Sequence, residues 1–141
     1  MIVFAGRIRE PASYRDHAAP GLARAAEPGA EIVPFEASGT ISRDYNLILD
    51  QLSGREDLEA LVLVDEDVEI ADGEFCAKVR RALADPDVAV VGCAGATGIE
   101  GAAWWEGTVS AAPVVRRYRQ YGGGELSGFV PGPVAPPPAA K

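Results

Sequence analysis

The chain has a single histidine, His17, and two cysteines, Cys76 and Cys93, among 141 residues. Nothing around His17 marks it as a catalytic base, so Ser–His and Cys–His nucleophile systems have no framework here, and it reads as a solvent-facing or helix-packing residue. The cysteines lack the paired spacing of zinc sites. They fall on a helix pattern and a strand pattern with no secretory signal, which predicts buried free thiols rather than a disulfide. Long apolar runs are also missing: no stretch approaches the ~18 residues of a membrane span. The opening run Met1 to Ala5 is too short for a signal-peptide core and no basic region precedes it, so a cytoplasmic location is expected. Basic blocks are scarce as well. Arg116, Arg117 and Arg119 form the one local cluster in a chain of net charge −8, which argues against a phosphate-tracking nucleic-acid binder.

The apolar and charged fractions, 48% and 24%, place the chain with ordinary globular proteins rather than disordered ones. Its length suffices for a proper core. Ile2 to Ala5 reads as a first strand that meets Gly6 and Arg7 at its carboxyl end. Residues 12–26 read as a helix broken or kinked near Pro20-Gly21, with Pro28-Gly29 as the turn that follows. Glu31 to Phe35 is a second strand, and Pro34 inside it predicts an edge or a strand end. Gly39-Thr40 opens a helix in which Ile41, Tyr45, Ile48, Leu49 and Leu52 share one face, with Thr40 as N-cap.

Ala60 to Val64 is an unbroken apolar run, bounded by charge, of the kind found in strands covered on both faces. A helix through Phe75, Val79 and Leu83 closes at Asp85-Pro86, and Val88 to Val91 is read as a fourth strand ending at Gly92. The order β-α-β-α-β-α-β predicts an α/β fold built on a mostly parallel, doubly wound sheet. Trp104-Trp105 and residues 108–115 suggest an irregular strand or hairpin, and Tyr121 to Gly124 a loop. No internal repeat is present. Residues 1–130 form the expected domain, and the proline-rich residues 131–141 a tail or linker.

Asp65 and Asp67 stand directly after the central apolar run. Open α/β sheets bind ligands just outside the carboxyl ends of their strands. Hard oxygen ligands suit Mg²⁺ or Mn²⁺, which take one or two carboxylates and leave the other positions to water and phosphate. The alternative is an acidic turn that only ends a strand, since Asp and Glu favour such places. In a parallel sheet Gly6, Glu36 and Asp65 would share one rim. An acidic surface attracts phosphates poorly, and a bound divalent ion would reverse the local field. Asn46 lies beside the apolar stripe of its helix, a place for an amide that bonds backbone or ligand. Trp104 and Trp105 either stack on a sugar or base, or cover a sheet edge and fill the core. Gly92 to Gly98 looks like a dinucleotide loop, yet it follows the wrong strand and opens no helix, so it reads as a loop permitting close backbone approach.

The series Ile41-Ser-Arg-Asp-Tyr-Asn46, Leu61-Val-Leu-Val-Asp-Glu-Asp67-Val-Glu-Ile70, Val88-Ala-Val-Val-Gly-Cys-Ala-Gly95 and Trp104-Trp105 resembles the glycosyltransferase-like domain of a streptomycin-biosynthesis group. That group is related to family 2 glycosyltransferases with the GT-A fold. The resemblance covers roughly residues 1–130. In the group the first acidic position is often histidine; Asp65 restores the Asp-x-Asp form of metal-dependent GT-A enzymes. The resemblance implies a nucleoside-diphosphate-sugar site in which Asp65 and Asp67 hold Mn²⁺ or Mg²⁺ against the diphosphate. Glu36 would contact the base, and Asn46 would match the asparagine of the helix before the acidic strand. Family members carry the acceptor pocket and catalytic base in a second half, whereas no acidic residue follows Glu125 here. The expectation is therefore a donor-binding half with no assigned base, or else an inactive sugar-nucleotide-binding or interaction domain. An uncovered sheet edge could pair with another copy.

Overall fold

The structure, a computed structural model, describes residues 1–97, 108–111, 114–118 and 124–129. The chain forms two compact units, Met1–Ala89 and Val90–Lys141.

The first unit is a three-layer α/β arrangement. Strands β1 (Ile2–Ile8), β2 (Glu31–Glu36) and β3 (Ala60–Leu63) form a parallel sheet in the order β2-β1-β3. In register, Gly6 faces Pro34 and Ile8 faces Glu36 on one side of β1, while Ala5 faces Leu63 on the other. Side chains alternate across a strand, so β1 feeds two cores. Ile2 and Phe4 pack with Ala18, Leu22, Ala25 and Cys76, whereas Val3 and Ala5 pack with Ile48 and Leu52. Burying each of the larger side chains contributes roughly 1.5–3 kcal/mol. The rings of Phe4 and Phe75 lie 6.0 Å apart and tilted by 39°, within the range of favourable aromatic pairs.

The first helical region comprises α1 (Pro11–Ser13), a π-helical turn (Tyr14–Ala18) and α2 (Ala19–Ala25). The irregularity expected at Pro20-Gly21 appears one turn earlier. Pro20 has no N–H to offer the preceding turn, and there the ladder widens, with the Ala19 N–H donating to Tyr14 O. Gly21 is buried where a Cβ would collide with the backbone of Glu69 and Ile70, so its smallness lets α2 touch that segment. Pro28-Gly29 forms the expected turn, with Gly29 at φ 92°. Pro34 does sit on an edge strand.

Helix α3 (Ile41–Leu52) covers the other face. Thr40 caps it as expected, its hydroxyl accepting from the Arg43 N–H at 3.3 Å. The buried row differs from the sequence reading: it is Asp44, Ile48 and Leu52, while Ile41 and Leu49 are 52% and 47% exposed. Asp44 on this row is bonded by Arg7, as described below. Helix α4 (Phe75–Ala82) packs Cys76 into the first core, where its thiol donates to Ala25 O at 3.2 Å.

The expected fourth parallel strand is not formed. The Val88 N–H donates to Asp85 O in the turn after α4, and Val90 and Val91 are 88% and 54% exposed. A run of valines supplies β propensity, but a strand also needs a ladder partner. The next strands are antiparallel instead. β4 (Ala94–Thr97) pairs with β5 (Thr108–Ala111), and β6 (Val114–Tyr118) pairs with β7 (Gly124–Phe129) with an irregularity at Val114/Val115. Gly95 thus lies in a strand and not in a ligand-approaching loop. Both cysteines are free; Cys93, expected to be buried, is exposed. Trp104, Trp105 and the tail 131–141 lie outside the described residues. Among those described, no helix is long and apolar enough to cross a membrane.

Candidate functional site

The chain passes from β1 to β2 on one side, then crosses to β3 on the other side of β1. Connections diverge at such a reversal, and the carboxyl ends of the two strands flanking it leave a crevice. A cavity of about 190 Å³ lies there, lined by Arg7, Arg9, Ile41, Asp65, Glu66 and Asp67. Pockets for whole drug-sized ligands run to roughly 300–1,000 Å³, so this one suits a charged portion of a ligand.

The carboxyl end of β3 supplies three acids in one turn. The Val64 N–H still bonds Ala5 O at 3.0 Å, and the Val68 N–H then closes the turn onto Asp65 O at 3.1 Å. The three acids do different work. Glu66 reaches back to the end of β1, accepting from the backbone N–H groups of Arg9 and Glu10, the latter at 2.8 Å. Burial pushes the Glu66 carboxyl up, but these two donors together with the Arg9 and Arg7 charges bring it below the ordinary value. Asp65 is exposed and accepts from the Tyr45 hydroxyl at 2.8 Å. Burial and then the bond to Asp65 push the Tyr45 phenol up to about 12, so it remains a donor at neutral pH. Asp67 is exposed and forms no hydrogen bond or ion pair among the described residues.

The two arginines also differ. Arg7 donates through Nε to Asp44 at 2.7 Å and through Nη2 to Gly39 O at 3.0 Å. Asp44 is fully buried and also accepts from the Ser38 hydroxyl at 2.9 Å and from the N–H groups of Ser38 and Gly39. The Arg7 hydrogen bond leads the effects that hold the Asp44 carboxyl down at about 2. The charge of Arg7 is therefore committed to the protein. Arg9 is 67% exposed and meets Glu10 and Glu66 only at 3.8 Å, which leaves its guanidinium available to an anion.

Of the residues expected from sequence, Asp65 and Asp67 come together in the cavity. Gly6 is buried next to it, where a Cβ would stand 2.6 Å from Val64 O; the close approach of β1 and β3 requires its lack of a side chain. Glu36 is exposed at the end of β2, opposite Ile8, and Asn46 is exposed on α3; neither lines the cavity. Glu36 and Asp65 do stand on the same carboxyl rim of the sheet, but the cavity lies between β1 and β3 and Glu36 does not line it. Sequence reasoning missed Arg7, Arg9, Glu66, Tyr45 and Asp44. Asp44 had a signal, since it sits four and eight residues before Ile48 and Leu52, on the row that packs inward.

No three His, Cys, Asp or Glu side chains converge to hold a metal among the described residues. With Glu66 engaged by backbone, Asp65 and Asp67 offer two hard oxygen donors. That set fits Mg²⁺ or Mn²⁺ completed by water and phosphate, and is too small for a dedicated protein cage. Comparison with known proteins gives no matching family model, no matching curated protein and no matching solved structure. What the fold and cavity define is a parallel α/β unit with a charged crevice at its switch point.

Proposed function

We propose that this crevice binds the diphosphate of a nucleoside-diphosphate sugar, and that the chain is the donor-binding part of a metal-dependent glycosyltransferase of the family 2 type with a GT-A-like fold. The observation that carries the reading is the joint presence of Asp65, Asp67 and the loosely paired Arg9 in one cavity between the ends of β1 and β3. Asp65 and Asp67 would hold Mg²⁺ or Mn²⁺, which as a Lewis acid neutralises charge developing on a leaving diphosphate. Arg9 would donate to phosphate oxygens, for which its planar fork is suited. Glu66 keeps the loop after β1 closed on the acidic turn, so cation and phosphate ligands stay in one place. Ile41 gives the cavity an apolar wall. Glu36 would contact the base and Asn46 would match the asparagine of the helix before the acidic strand, as the resemblance implies.

A second reading has its own support. The one partly buried carboxylate of the cavity, Glu66, is tied to backbone, and Asp65 and Asp67 are taken by the metal in the first reading. No catalytic base remains among the lining residues, which favours a sugar-nucleotide-binding module that does not itself complete transfer.

Calorimetric titration with UDP and GDP, each with and without Mn²⁺, tests the binding claim. Metal-dependent binding that disappears in the Asp65→Ala, Asp67→Ala double variant, with the thermal melt unchanged, is the expected result. Binding that survives the double change places the site elsewhere, and silence in all four titrations removes the sugar-nucleotide reading.

A further inference from the structure

We infer that Tyr45 is a positioning residue for the divalent-metal site, fixing the Asp65 carboxylate through its Oδ1 so that the acid meets a cation already oriented. The inference rests on the metal site proposed above. An exposed aspartate at the end of a strand samples several rotamers, and a metal that binds it must order it first. Asp65 is exposed, yet the Tyr45 hydroxyl holds its Oδ1 at 2.8 Å. The hydroxyl is itself held, because the Tyr45 ring packs against the cluster of Val3, Ala5, Ile48 and Leu52. A rigid core thus reaches the crevice through one phenol. Oδ2 of Asp65 forms no hydrogen bond among the described residues, and neither does Asp67. One ligand is tethered and the other is free to follow the cation. Partners that orient metal ligands in this way typically govern affinity by 10–100-fold.

The test is a Mn²⁺ titration of the full chain in the presence of UDP, with free Mn²⁺ read by electron paramagnetic resonance. Tyr45→Phe keeps the ring and removes only the hydroxyl. It is expected to weaken Mn²⁺ binding about tenfold or more, with the melting temperature unchanged. Equal Mn²⁺ affinity in wild type and Tyr45→Phe would overturn the positioning role while leaving the metal site standing. A weakened affinity accompanied by a lowered melt would also overturn it, since that is the mark of a packing role. Wild-type protein that binds no Mn²⁺ removes the metal site itself, and the inference with it.

Discussion

Arg7 and Asp44, 37 residues apart in sequence, meet at 2.7 Å and join the end of β1 to the first turn of α3. The carboxylate has no exposed surface and is satisfied by Arg7, the Ser38 hydroxyl and two backbone N–H groups. A buried acid so completely bonded is costly to remove singly, because the arginine left behind stays poorly solvated. Asp44→Ala is expected to lower the melting temperature by roughly 10 °C or more. A thermal melt within 2–3 °C of wild type, about the scatter of surface substitutions, would show that the pair is dispensable.

The same carboxyl sets an acid limit. Its folded value, about 2, lies below the ordinary 3.8. A depressed acid contributes stability that is fully present above the unfolded value and is lost as pH falls through the folded one. Urea unfolding midpoints should therefore hold steady above about pH 4 on this account and fall between about pH 4 and pH 2. Glu27, Glu59, Glu66 and Asp72 are lowered as well and add to the fall. Asp44→Asn should reduce its steepness; an identical pH profile for variant and wild type would contradict the assignment.

Gly6→Ala separates a packing role from a ligand role. The new methyl would press on Val64 O, which is backbone and cannot swing aside. The expected cost is about 1–3 kcal/mol in urea unfolding, as for other overpacked sites. Unchanged stability together with weaker UDP binding would return Gly6 to the binding site.

Much of the first unit was legible in the sequence. Ile2 to Ala5, Glu31 to Phe35 and Ala60 to Val64 became β1, β2 and β3 with small changes at their ends, because short apolar runs bounded by charge or turns have few other uses. The same boundary singled out Asp65 and Asp67, which line the cavity. What local pattern could not show was pairing across sequence. Arg7 and Asp44 pair through charge, and the row carrying Asp44 is buried while Ile41 and Leu49 face outward. Glu66 resembled its two neighbours until the backbone of Arg9 and Glu10 claimed it. Val88 to Val91 had every local mark of a strand, but the turn after α4 takes the Val88 N–H.

Pro34 makes the two edges of the sheet unequal. It deprives β2 of one amide donor on the outermost strand, so a further strand laid along that side meets an interrupted row of hydrogen bonds. β3 contains no proline, and its far side ends the three-stranded sheet. The acidic turn stands at the carboxyl end of β3, the edge strand of this sheet that no proline interrupts. The proline-free edge of the sheet and the crevice thus lie on the same side of β1.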